Sequence, residues 1–164
     1  MIVCDLDGVL WLGDRPIAGA AEAIAELRAA GHRLVFASNF SFALPGELAS
    51  KLDGMGVAAD GDVVTASMAA GALVKPGERV LVLGGPGVFE AVHEAGGEAV
   101  DATAAQEPPA RGIDAVVVGF RDDVTWDHLR RASTAVRAGA RFIATGTDAT
   151  LPTADGPVPG TGAI

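Results

Sequence analysis

Met1-Ile2-Val3-Cys4-Asp5-Leu6-Asp7-Gly8-Val9-Leu10-Trp11 opens as a short apolar run and ends in two acids and a glycine. The run predicts a buried strand with Asp5 and Asp7 at its carboxyl end, where ligands bind in open α/β sheets. Two carboxylates converging there suit a hard cation such as magnesium. Gly8 lets the chain leave the strand tightly, with no Cβ in the way. A second apolar run, Arg33-Leu34-Val35-Phe36-Ala37, is followed at once by Ser38-Asn39. If the two strands are parallel neighbours, Asp5, Asp7, Ser38 and Asn39 meet at one sheet edge. A hydroxyl and backbone N–H groups would hold phosphate oxygens there. An Asp-x-Asp pair alone is a common surface pattern. Its place after an N-terminal strand and before Gly-Val-Leu-Trp singles this one out.

Working outward, strands alternate with helices, which predicts a parallel sheet covered by helices. Pro16 and Gly19 open a helix whose Ile17, Ile24 and Leu27 share a face and which Gly31 stops. Pro45 suits the first position of the next helix, which carries Leu48 and Leu52 one turn apart and ends near Gly54. Asp62–Thr65 reads as a third strand and the Ala-rich stretch 66–74 as a helix. Lys75-Pro76-Gly77 marks a boundary between two α/β units. In the second unit, Val80–Leu83 is a strand, Gly84-Gly85-Pro86-Gly87 a turn, and Val88, Phe89 and Val92 line a helix ended by Gly96-Gly97. Glu98–Asp101 is a short strand, 102–112 a loop with Pro108-Pro109, and Ala115–Gly119 a buried strand. Thr125 is an expected N-cap with Asp127 in the first turn. Trp126, Leu129, Ser133 and Val136 form that helix's expected face, with Trp126 and Phe89 in the core. Arg141–Thr145 is the last strand, before a tail rich in Gly, Pro and Thr.

The chain has 164 residues, 49% of them hydrophobic, and a net charge of −9. That charge argues against a nucleic-acid partner, which needs a basic face to displace counterions. It does not exclude a phosphate ligand held by a metal and backbone N–H groups. Cys4 is the only cysteine, so no intramolecular disulfide forms, and the expected location is the cytoplasm. No apolar run reaches a membrane span's length, and the N-terminus lacks the pattern of a signal peptide. Gly84–Gly87 falls short of a dinucleotide fingerprint, because Glu90 stands where a third glycine is needed. His32, His93 and His128 are dispersed and lack metal-ligand spacing.

Asp5-Leu6-Asp7-Gly8-Val9-Leu10-Trp11 resembles the first motif of the haloacid dehalogenase superfamily. The continuation Gly13-Asp14-Arg15-Pro16-Ile17-Ala18-Gly19-Ala20 is similar to its nitrophenylphosphatase-like branch, which carries a type II cap and includes phosphoglycolate phosphatases. Ser38-Asn39-Phe40-Ser41 resembles the second motif. Gly139–Thr145 and the segment from Asp148 to Pro152 resemble the end of the cap, and Pro159–Ile164 the return into the core. The resemblance implies an incomplete Rossmann-like parallel core over 1–75, an inserted α/β cap over 76–157, and the start of the return over 158–164. It implies that Asp5 is a nucleophile forming an aspartyl-phosphate, and that Asp7 is the general acid and base. Asp5 and Asp7 would also be ligands of Mg2+, with Ser38 and Asn39 holding the phosphoryl group of a small phosphorylated substrate. A cap closing over the site and a homodimer paired through the caps are further expectations of that kind.

Gly146-Thr147-Asp148 stands where the family has Asn-Pro-Asp, and Phe40 replaces a frequent Asn. The family's third-motif Lys and fourth-motif acids follow the cap. The only lysines here are Lys51 and Lys75, in neither such context, and Asp122-Asp123 falls within the cap region. The chain is therefore expected to be an N-terminal part whose site needs completion and whose nucleophile strand borders an exposed sheet edge. The alternatives are a catalytically incomplete cap or binding fragment, and, more weakly, a nucleotide-sugar site built on Asp-x-Asp.

Overall fold

A computed structural model of the chain describes residues 1–59, 61–105, 111–153 and 156–164. The first half runs β1 (Ile2–Asp5), a two-residue hairpin of β2 (Trp11–Leu12) and β3 (Arg15–Pro16), α1 (Ala20–Ala29), β4 (Leu34–Ser38), α2 (Pro45–Gly54), β5 (Val63–Thr65) and α3 (Ala66–Gly71). β1, β4 and β5 form a parallel sheet in the order β1-β4-β5. Its core joins Leu6, Leu10, Trp11, Phe36, Leu52 and Val57, each at most 2% exposed. Among the described residues β1 pairs with β4 alone, so it is an edge strand, and its Val3 is 63% exposed.

The helices follow the local signals. Leu48 and Leu52 of α2 are both buried, and the Leu44 N–H bonds Glu47 Oε2 at 2.9 Å. Ile24 of α1 is buried as expected, whereas Ile17 precedes the helix and stays 37% exposed. α3 is shorter than the Ala-rich stretch that predicts it. Its Ala70, with Val74 beyond it, packs into the core of the second sheet.

The second half runs β6 (Arg79–Leu83), α4 (Pro86–Glu94), β7 (Glu98–Asp101), β8 (Ala115–Val118), α5 (Trp126–Arg137) and β9 (Arg141–Ala144). All four strands are parallel, in the order β7-β6-β8-β9. Val80, Val82 and Val117 face one core, and Leu81, Leu83, Val116 and Val118 the other, as strand alternation requires. Burial on both faces explains why β6 and β8 read as unbroken apolar runs. The expected loop over 102–112, with Pro108-Pro109, lies in part outside the described residues.

Thr125 caps α5: its Oγ1 accepts from His128 N–H, and His128 Nδ1 accepts from Thr125 N–H at 3.2 Å. Trp126 is not in the core; it is 83% exposed. Ala132 and Ala135 set the buried face of the helix. At about 100° per residue, Trp126 and Ser133 lie roughly 100–120° around the helix from Ala132. The tail is more regular than its composition suggests. β10 (Thr150–Thr153) and β11 (Gly156–Pro159) pair as an antiparallel hairpin, and a 3-10 turn spans Thr161–Ala163. Among the described residues, no helix is long and apolar enough to cross a membrane.

Candidate active site

β1 and β4 are parallel neighbours, with Asp5 opposite Ala37 and Ser38 the next residue along β4. Asp5 and Asp7 therefore reach the same sheet edge as Ser38. Asp5 Oδ1 accepts from the Leu6 N–H at 2.8 Å, which fixes the carboxylate against its own backbone. Gly8, at φ 80°, turns the chain back, and its N–H donates to Trp11 O at 2.7 Å.

That turn returns Trp11 to Asp7. The indole Nε1 donates to Asp7 Oδ1 at 2.9 Å, while Ser38 Oγ makes a long contact of 3.5 Å with Asp7 Oδ2. Trp11 is buried, and Lys51 Nζ sits 4.4 Å from its ring centroid. Lys51 also donates to Gly13 O at 2.8 Å. Ser38 is buried, and its Oγ accepts from the Phe40 N–H at 3.1 Å. Asn39, the next residue, donates its Nδ2–H to Asp148 Oδ2 at 3.2 Å.

The structure thus brings Asp5, Asp7 and Ser38 together and links Asn39 to the segment leaving the second sheet. Trp11 enters the sequence argument only as part of a motif. Its bond to Asp7 spans a glycine turn that no helical or strand periodicity marks. Asp148, which the sequence places at the start of the segment resembling the end of the cap, here holds Asn39. Beside the site, burial pushes the Cys4 thiol pKa up, and the adjacent Asp5 carboxylate adds to the rise. Among the described residues, no group of three or more His, Cys, Asp or Glu is placed to hold a metal ion.

The haloacid dehalogenase-like hydrolase family pattern matches residues 2–98. The chain belongs to this family. The acid sugar phosphatase of Staphylococcus saprophyticus is 37% identical over 164 residues, 98% of this chain and 60% of that protein. The p-nitrophenyl phosphatase of Archaeoglobus fulgidus superposes with a TM-score of 0.86 at 30% identity, covering 99% of this chain and 60% of that one. The glycerol phosphate phosphatase of Mycobacterium tuberculosis, solved in complex with magnesium, superposes with a TM-score of 0.84 at 33% identity, covering 98% and 48%. Over nearly its whole length the chain is thus similar to proteins named as sugar, p-nitrophenyl and glycerol phosphate phosphatases. The chain spans 60% or less of the length of each of the three.

Proposed function

We propose that this chain carries the nucleophile half of the active site of a magnesium-dependent phosphomonoester hydrolase. The observation that carries the reading is the convergence of Asp5, Asp7 and Ser38 at the carboxyl ends of two adjacent parallel strands. Asp5 would attack phosphorus in line, forming an aspartyl-phosphate as the leaving oxygen departs. Asp7 would give that oxygen a proton, then take one from the attacking water. Trp11 holds one oxygen of Asp7, so the carboxyl group keeps one orientation through both steps. Ser38 and Asn39 would hold the transferring phosphoryl oxygens, and such positioning supplies much of the catalysis in phosphoryl transfer.

The hard oxygens of Asp5 and Asp7 fit a magnesium ion, as does the magnesium complex of the mycobacterial relative. When bound, the ion would neutralise charge on the phosphoryl group. Asp5 would hold it through a carboxylate oxygen and Asp7 through its backbone carbonyl, which leaves the Asp7 carboxyl free to move the proton.

The substrate would be a small phosphorylated metabolite in the cytoplasm, in keeping with the sugar and glycerol phosphates named for the relatives. Residues 1–75 would be core, 76–157 a cap that excludes water and reads the leaving group, and 158–164 the return. Exposed Trp126 and Phe142 would offer apolar surface for pairing through the cap.

The test is p-nitrophenyl phosphate hydrolysis with and without magnesium. Residues 1–164 alone should stay near background. A form extended by roughly 100 residues, enough to complete one core, should turn over, and Asp5→Asn should silence it. Substantial Asp5-dependent turnover by 1–164 alone would overturn the need for further residues. No turnover of any phosphate ester by the extended form would favour a binding module.

A further inference from the structure

The loop that carries Ser38 and Asn39 does not end at the first sheet. Three residues on, Ser41 is fully buried, and its Oγ accepts two hydrogen bonds. The Phe120 N–H donates at 2.9 Å, and the Thr145 hydroxyl donates at 2.9 Å. Phe120 follows β8 and Thr145 follows β9. These strands are neighbours, with Val118 opposite Ala144, and the ladder continues beyond them through the Thr145 N–H to Val118 O at 2.9 Å. Both donors therefore stand on the carboxyl edge of the second sheet. A hydroxyl has two acceptor lone pairs, and both are used here.

The rest of the loop is seated on the same edge. The Gly87 N–H donates to Phe42 O at 2.9 Å. A Cβ at Gly87 would collide with Ala43 O, and one at Gly119 would lie 3.0 Å from Ser41 Oγ. The rings of Phe40, Phe42 and Phe120 lie within 6.4 Å of one another, centroid to centroid. The glycines of 84–87, read in the sequence against a nucleotide-binding loop, are where this segment approaches the second sheet.

We propose that Ser41 is a positioning residue, whose buried hydroxyl fixes the Ser38–Asn39 loop against the carboxyl ends of β8 and β9. The inference rests on the reading of Ser38 and Asn39 as the phosphate-holding pair. Three residues of chain reach at most about 10 Å, so the place of Ser41 sets that of Ser38 within narrow limits. The Asn39–Asp148 bond ties the same loop to the segment leaving β9. Displacement of the second unit is thereby passed directly to the residues that would hold phosphate. Ser41 acts through them and does not touch the reacting atoms.

The test compares Ser41→Ala, Thr145→Val, which loses the hydroxyl at nearly constant volume, and Thr145→Ser, which keeps it. In the 164-residue chain, exchange of the Phe40 amide, which bonds Ser38 Oγ, is read against that of Phe36 in β4. The Phe40 amide should exchange about tenfold faster in Thr145→Val and Ser41→Ala, and near the parent rate in Thr145→Ser. Phe36 should not change. In the extended form, kcat for p-nitrophenyl phosphate should fall about tenfold in Thr145→Val with KM changed less than about threefold, and Thr145→Ser should restore it. If the extended parent shows no Asp5-dependent turnover, the phosphatase reading fails and the exchange result alone decides the role of Ser41. Unchanged Phe40 exchange in Thr145→Val overturns the proposal, whatever happens to thermal stability. Should Ser41→Ala fail to fold, the Thr145 pair still decides.

Discussion

The indole of Trp11 donates to Asp7 Oδ1 at 2.9 Å from a position only 1% exposed, while Asp7 itself stays open to solvent. A rigid, buried donor thus orients an accessible carboxylate. Trp11→Phe keeps most of the packing and removes the donor. We expect a stability loss of about 1 kcal/mol beyond the packing change in denaturant titration. In the extended form, kcat should fall about tenfold, as misorientation of an acid–base group predicts. A kcat indistinguishable from the parent would show that Asp7 does not need this support.

Leu52 and Trp126 offer a contrast in which residue size misleads. Leu52→Ala, at a fully buried site, should cost about 2–5 kcal/mol in urea unfolding. Trp126→Ala, at a site 83% exposed, should change stability by no more than about 0.5 kcal/mol in the monomer. A large cost at Trp126 would mean that the side chain is covered in solution, and sedimentation would then show a dimer.

Thr125 caps α5 through its bond with the His128 N–H. Thr125→Ala should cost about 1 kcal/mol, read as a lower unfolding midpoint. Thr125→Ser, which retains the hydroxyl oxygen, should recover most of it.

The Cys4 thiol has a raised pKa, from burial first and Asp5 second. A raised pKa means less thiolate at a given pH. Alkylation by iodoacetamide should therefore lag behind a free thiol across pH 7–9, where an ordinary thiol titrates. Asp5→Asn removes the smaller cause, so alkylation should quicken at fixed pH while staying slower than in the unfolded chain. No effect of Asp5→Asn would contradict the placement of that carboxylate beside the thiol.

Much of this architecture is legible in the residues themselves. β4, β6 and β8 show as apolar runs because strands buried in parallel sheets need no polar face. Thr125 and Pro45 announce the starts of α5 and α2. The meeting of Asp5, Asp7 and Ser38 follows from one assumption, that β1 and β4 pair in parallel, and they do. The hairpins are less visible. β2 and β3 have two residues each, too few for a period. β10 and β11 contain Pro152, Pro157 and Pro159, which ordinarily argue against strands. The orientation of α5 is set by Ala132 and Ala135, small residues whose signal is weaker than that of the exposed Trp126. The bonds of Ser41 join residues 79 and 104 positions apart, and a single sequence carries no mark of them.

Trapping the covalent intermediate tests the central claim most directly. The extended protein is mixed with p-nitrophenyl phosphate and magnesium, quenched in acid and reduced with borohydride, which converts an acyl phosphate at aspartate to homoserine. Peptide sequencing by mass spectrometry should find homoserine at position 5, with Asp7 unmodified. Turnover with no modification at Asp5, or with the label on Asp7 or elsewhere, would contradict the assignment of Asp5 as nucleophile.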